Sequence, residues 1–410
     1  MTRYFDVLET RDPEERESDL RARLPRFLAA AAAGSAHAAR VLSGVSPSEV
    51  TGRAGLIQLP LTRKSGLIAL QAEQPPFGGL NGVPVGDLAR IFVSPGPIHE
   101  PQGEGTDTFL RFARALHATG LRRGDVLQNC FAYHFTPAGF MLEGGARALG
   151  CPVIPAGTGN TDAQARAAAQ IRPRAYSGTP DFLRTILEKG EELGLDLSSI
   201  RLGHVSGGAY LPPLRAWYAD LGLTVLQSYA TAECGVIAYE TEAREGLVLD
   251  EEVILEIVRP GTGEPLPEGE VGEVVVTVLN PAYPLLRFAT GDLSAVMPGR
   301  SPCGRTNTRL RGWMGRADQA TKVRGLFVRP EMVVEIARRV PGLGRLRIVV
   351  SELDGRDRME LRAEGPREAR DRLSAALQDV TRLRGEVTLV AAGSLPNDGK
   401  VVDDTRPSPA

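Results

Sequence analysis

Four short stretches combine residue types that can do chemistry. Ser206, Gly207, Gly208 and Ala209 follow an apolar run. Paired glycines at the end of a strand let backbone approach a flat ligand closely, although an ordinary turn into a helix uses the same residues. Ser228, Tyr229, Ala230, Thr231, Ala232 and Glu233 follow another apolar run. Glu233 could hold a divalent cation through oxygen and Tyr229 could stack on a base; a solvated turn is the alternative. In the stretch Arg287 to Asp292, the acid comes directly after Gly291. An acid beside a glycine turn can accept both hydroxyls of a ribose, or simply close an Asx turn. Arg316 and Asp318 lie in the fourth stretch, and Lys400 ends the loop that begins at Leu395. A lysine on a glycine-containing loop carries a mobile charge with three donors, able to neutralise a phosphoryl group, though most lysines are surface residues.

These stretches need a scaffold. From Asp107 the pattern alternates: helix over Thr108–Thr119, an apolar run Asp125–Phe131, helix Ala138–Leu149, a run Cys151–Pro155, then helices Ala163–Ile171 and Asp181–Leu193. Ile200–Val205 and Thr224–Leu226 are further strand candidates. The alternation predicts an α/β fold, a mainly parallel sheet covered by helices. After Cys234 the grammar becomes β-rich, with Val253–Val258 and Glu273–Val278 predicting an antiparallel subdomain over about 235–315. The tail predicts a compact α+β unit: strands near Leu346–Ser351, Met359–Ala363 and Glu386–Val390, and helix Arg367–Leu377. The expected division is a large N-terminal domain, 1–317, and a small mobile C-terminal domain, 318–410. At the start, Pro13 and its acidic followers predict a helix that Pro25 ends or kinks near Arg23 or Leu24.

Composition narrows the class. The chain has 410 residues, 42% hydrophobic and 24% charged, so it can bury a large core. Lys+Arg 48 against Asp+Glu 50 leaves a net charge of -2, which argues against a dedicated nucleic-acid binder. No run reaches the roughly 18–20 apolar residues that span a bilayer, so no membrane partner is expected. The acidic start does not suit a signal peptide, and the four cysteines are scattered. A soluble cytoplasmic enzyme is expected. The sequence does not fix its oligomeric state; a homodimer is the commonest closed assembly.

Taken in order, the stretches resemble the adenylate-forming (acyl-CoA synthetase) superfamily, and most closely its phenylacetate–coenzyme A ligase branch. The resemblance extends to Leu59–Lys64, Gln128–Tyr133, Leu149–Pro155, Gly159–Thr161, Gly263–Glu273 and Pro302–Arg305. It implies activation of a carboxylic acid on Mg·ATP to an acyl-adenylate, then transfer to a thiol after the small domain rotates. By that resemblance Lys400 and Glu233 are catalytic, Lys400 in adenylation and Glu233 as the magnesium ligand. Ser206, Gly207, Gly208, Ala209, Tyr229, Ala230 and Thr231 line the nucleotide slot, Asp292 binds the ribose and Arg316 lies near ribose or phosphate. Asp318 is the hinge, and Tyr133, His134 and Phe135 surround the acid. The implied cofactors are ATP/AMP, Mg2+ and coenzyme A or a carrier-protein thiol, with an aromatic or small carboxylic acid as substrate.

The chain also departs from the family pattern. The phosphate loop is degenerate: its place is taken by Ser94, Pro95, Gly96, Pro97, Ile98, His99, Glu100 and Pro101. Pro95 and Pro97 remove backbone donors, and Glu100 is expected to turn a negative charge toward the β- and γ-phosphates. Ala232 lacks a hydroxyl usual before the Glu. Some relatives bind zinc in the β-rich subdomain, but only Cys303 remains of that set, so no zinc site is expected. His204 and Cys234 read as structural. The leading expectation is an acid–thiol ligase. The alternatives are a nucleotide- or acyl-adenylate-binding relative with impaired adenylation, and an acyltransferase or amide-forming enzyme on the same fold.

Overall fold

The computed structural model describes residues 3–105, 109–259, 263–317, 321–353, 356–395 and 401–406. The chain divides into two compact units. One comprises 1–290 with 295–312, and the other 291–294 with 313–410.

The first unit is built on a nine-stranded sheet, as counted among the described residues. Val153–Pro155, Leu127–Asn129, Ala175–Gly178, Leu202–Val205 and Thr224–Thr231 run parallel in that spatial order. Gly235–Glu240, Leu247–Leu249, Arg309–Leu310 and Val296–Met297 then extend the sheet antiparallel. Helices bury both faces of its parallel half, which explains why these strands read as continuous apolar runs. Phe112, Leu116, Met141 and Ala146 pack with Leu127, Ala175 and Leu202 in one cluster. Ala165, Leu183, Ile186 and Tyr218 pack with Tyr176, Val205 and Val225 in another. Neighbours Ala175 and Tyr176 fall in different clusters because successive strand residues face opposite ways.

A second, four-stranded sheet orders Thr62–Arg63, Leu285–Ser294, Gly272–Val278 and Val253–Val258. The β-rich stretch is therefore shared between two sheets. Its strands at Gly235–Glu240 and Leu247–Leu249 belong to the large one.

Pro25 does not end the first helix, which runs Pro13–Gly34. Leu20, Leu24, Leu28 and Ala31 form one buried stripe, and their packing outweighs the roughly 3 kcal/mol an interior proline costs. Ahead of this helix, Glu9 is 1% exposed and accepts from Arg305 Nε at 2.7 Å, Tyr239 Oη at 2.6 Å and the Phe5 amide at 2.6 Å. Arg305 is itself 1% exposed, so a fully buried ion pair ties the start of the chain to the sheet region.

Among the described residues, the second unit centres on a four-stranded sheet ordered Glu386–Val390, Arg356–Glu364, Leu346–Leu353 and Val402–Asp404. Ile336, Leu373 and Leu377, from helices Pro330–Arg339 and Arg370–Thr381, pack with Ile348, Val350 and Leu361 of that sheet. A hairpin pairs Thr321–Val323 with Leu326–Val328. Among the described residues, no helix is long and apolar enough to cross a membrane.

Candidate active site

Because five neighbouring strands run parallel, the segments leaving their C-terminal ends gather along one edge, where open α/β sheets bind ligands. Ser206 leaves Leu202–Val205 there, and its hydroxyl donates to the Ser228 carbonyl at 2.9 Å. Gly207 adopts φ +69°, and Gly207, Gly208 and Ala209 are exposed. Beneath them His204 is fully enclosed, with Nδ1 2.9 Å from Thr119 Oγ1 and Nε2 3.0 Å from Ser228 Oγ. Burial pushes its pKa down to about 3, so it is a neutral packing residue.

Ser228 to Thr231 complete a strand rather than a solvated turn. Tyr229 is 8% exposed within the core, and its hydroxyl donates to Thr290 Oγ1 at 3.1 Å. Ala230 and Thr231 are half-buried at the strand end. Thr231 Oγ1 accepts the Cys234 amide at 3.1 Å, holding the turn that carries Glu233. Cys234 is buried, and burial raises its thiol to about 12, as a structural cysteine requires.

Glu233 is buried, and its partner is Lys64. The ammonium lies 2.9 Å from Oε1 and donates to Oε2 at 3.2 Å. Lys64 falls inside the Leu59–Lys64 match, but the sequence pointed to no role for it. Nothing local to Glu233 announces a cation 169 residues away.

The stretch Ser94 to Pro101 is not an open loop. Arg90–Ser94 and Ile98–Gln102 form a hairpin, with Ser94 opposite Ile98 and Phe92 opposite Glu100. Ser94 and Gly96 stand at its turn. Glu100 does not turn a charge outward, as the sequence suggested: it is 2% exposed and accepts from Ser94 Oγ. Burial, reinforced by Glu233 and opposed by Ser94 and Lys64, raises its pKa to about 7. A repulsion counted for a full exposed charge therefore overstates its effect. Its Oε2 and the hydroxyl of buried Tyr283 have no hydrogen-bond partner among the described residues. Glu233 and Glu100 both act electrostatically on Tyr283, so these oxygens, the donor type magnesium prefers, share one neighbourhood, while among the described residues no three His, Cys, Asp or Glu side chains gather as a metal cluster.

The hairpin also reaches the candidate acid pocket, since the Val93 amide donates to the Phe135 carbonyl at 2.9 Å. Tyr133 accepts from Asn129 Nδ2 at 2.7 Å and packs edge-on against Phe140, with ring centroids 5.2 Å apart. Its hydroxyl pKa is raised, chiefly by burial and then by Glu143. His134 is exposed. Phe135 is 65% exposed at φ +63°, an unusual conformation for a non-glycine residue.

In the second unit, Asp292 lies within the strand Leu285–Ser294, not after a free glycine turn. Gly291 takes φ +78° inside that strand. Asp292 is 8% exposed, and Oδ1 accepts both Arg316 Nη1 and Trp313 Nε1 at 3.1 Å. Backbone bridging between Asp292 and Arg316 aligns them. Trp313 was missed by the sequence reading, which weighed acids and cations but not a ring N–H. Lys400 and Asp318 lie outside the described residues. At the positions compared with zinc ligands, Cys303 Sγ is 3.0 Å from Ser301 Oγ, and Ala238 and Val248 are buried. Hydrogen bonds to Ser301, Thr241 and Arg305 outweigh burial and lower the Cys303 pKa.

Residues 106–280 match the AMP-binding enzyme family. A phenylacetate–coenzyme A ligase from Thermus thermophilus is 34% identical, the alignment covering 78% of this chain and 75% of that protein. One from Aromatoleum evansii is 31% identical over 76% and 72%. Among solved structures, a 2-hydroxyisobutyryl-CoA ligase with a bound acyl-AMP superposes with TM-score 0.82 at 24% identity, over 98% of this chain and 92% of that one. The amide bond synthetase McbA from Marinactinospora thermotolerans superposes with TM-score 0.57 at 18% identity, over 75% and 66%.

Proposed function

Because the chain belongs to the phenylacetate–coenzyme A ligase branch of the adenylate-forming enzymes, we propose that it activates a small, aromatic or otherwise compact carboxylic acid as its acyl-adenylate and passes the acyl group to coenzyme A. The supporting observation is the correspondence between the family's motif order and the surfaces that carry those motifs here. The exposed Gly207–Ala209 backbone and the buried Glu233 share one edge of the sheet, and Asp292 and Arg316, the two residues that the family motifs assign to the nucleotide, pair with each other at 3.1 Å. In this reading Gly207, Gly208 and Ala209 admit the flat base, and Asp292 takes the ribose hydroxyls. Tyr133, Phe135 and the hairpin that meets them shape the acid pocket. Lys400 neutralises charge as the carboxylate and α-phosphate meet, and Asp318 absorbs the backbone change between half-reactions. Glu233 would hold magnesium, with Glu100 and Tyr283 as further oxygens nearby; when bound, the ion shields the phosphates. Lys64 then has to leave Glu233 or share it.

A second reading is favoured by the Ser94–Pro101 hairpin. Pro95 and Pro97 cannot donate backbone hydrogen bonds to phosphate, and Ile98 is 4% exposed. On this reading the protein binds AMP or an acyl-adenylate but forms adenylate poorly. Acid-dependent exchange of labelled pyrophosphate into ATP, over a panel of aromatic and short-chain acids, decides between them. Exchange with at least one acid supports the ligase reading; AMP binding without exchange supports the second. Coenzyme A against a carrier-protein thiol is settled by supplying each as acceptor.

A further inference from the structure

Trp313 has an unusual position for a residue of its size. It is 54% exposed, so burial of the indole is not what holds it. Its one polar atom, Nε1, donates to Asp292 Oδ1 at 3.1 Å. Arg316 Nη1 donates to the same oxygen, also at 3.1 Å. The backbone around it is built to make this approach. Gly312 and Gly315 flank the stretch at φ +101° and +117°, values a side chain would resist. The Leu293 amide then donates to the Gly315 carbonyl at 2.8 Å, and the Met314 amide to the Leu293 carbonyl at 2.9 Å. The segment is thus laced to the strand carrying Asp292 at the two residues that follow the indole.

A carboxylate can rotate about its Cβ–Cγ bond, and a ligand that needs one orientation must pay for fixing it unless the protein has done so beforehand. Two donors from different residues, meeting on one oxygen, fix that rotation. We propose that Trp313 is a positioning residue for the nucleotide: its indole N–H, acting with Arg316, presets the Asp292 carboxylate for the ribose hydroxyls. The proposal rests on the reading that Asp292 takes the ribose. It assigns Trp313 no direct part in the chemistry, and phenylalanine at 313 would keep the ring while losing the function.

The test is calorimetric titration of the full chain with AMP and with 2′,3′-dideoxyadenosine monophosphate, which lacks the hydroxyls. The proteins are wild type, Trp313→Phe and Asp292→Asn. Wild type is expected to prefer AMP, and Asp292→Asn to lose that preference. Trp313→Phe should bind AMP roughly tenfold more weakly while its affinity for the dideoxy compound stays unchanged. If Asp292→Asn abolishes the preference and Trp313→Phe leaves it intact, the positioning role is overturned and the ribose reading stands. A fall in both ligands together also overturns it, because that is the signature of a general structural defect. If wild type does not distinguish the ligands, the ribose reading fails, and this inference with it. Should Trp313→Phe not fold, Trp217→Phe leaves Trp313 as the single tryptophan of the two in the chain. Its emission should then respond to AMP more than to the dideoxy compound, and an equal response to both would overturn the proposal.

Discussion

The ammonium of Lys64 stands 2.9 Å from Oε1 of Glu233, a carboxylate whose side chain is 0% exposed. This pair joins a segment near the start of the chain to the turn after the last parallel strand. Lys64→Met leaves the carboxylate enclosed without its cation. With Lys64 itself 30% exposed, the expected loss is about 2 kcal/mol, below the range for a fully buried pair. Adding Glu233→Gln should recover most of it. A urea-denaturation double-mutant cycle measures the coupling, and simple additivity of the two changes would show that the pair contributes nothing.

Glu100 gives a pH signature. Its folded pKa, about 7, lies above the ordinary value of 4.5, so between those pH values the folded state binds more protons than the unfolded one. Stability from this group is therefore present at low pH and lost as pH rises from about 4.5 to 7, by up to about 3 kcal/mol. Buried His204 acts oppositely: its pKa of about 3 means stability falls as pH drops below 6.5. The difference between wild type and Glu100→Gln isolates the glutamate. Glu100→Gln should gain relative stability from about pH 5 to 7 and then level off, and a flat difference across that range would contradict the buried-acid assignment.

If Lys400 serves the first half-reaction alone, Lys400→Ala should lower acid-dependent pyrophosphate exchange by roughly a hundredfold or more. AMP affinity should change less than about twofold. Parallel loss of exchange and AMP binding would instead point to a structural role.

Gly291→Ala places a methyl in a left-handed backbone at φ +78°, with the new Cβ 2.7 Å from Arg316 Nη2. The side-chain end can shift, so backbone strain dominates, at about 1–2 kcal/mol. Thermal unfolding should show the lower midpoint, and AMP should bind more weakly because Arg316 is displaced from Asp292. An unchanged midpoint would mean the strand relaxes freely at that point.

The parallel half of the large sheet was readable because both faces are buried and the strands are unbroken apolar runs. Leu127–Asn129 and Leu202–Val205 fall inside the runs expected for them. Ala175–Gly178 escaped notice because Ala, Ser and Gly carry little strand preference and tertiary packing alone selects them. The Arg90–Gln102 hairpin escaped because prolines at 95, 97 and 101 suggested a loop, whereas two of them sit in the turn itself. At the candidate site, Glu233 and Asp292 stood out by residue type and motif. Lys64, Trp313 and the enclosure of Glu100 depend on contacts between distant segments, which no local pattern encodes.

The Glu9–Arg305 contact has a practical corollary for anyone preparing shortened versions of this protein. Starting the polypeptide after residue 10 would leave a buried guanidinium with only the longer, half-exposed Glu242 contact at 3.6 Å and the Tyr239 hydroxyl deprived of its acceptor. Such a product should aggregate or melt early even though every catalytic candidate is still encoded. Trimming that end is therefore no neutral step in crystallisation or tagging.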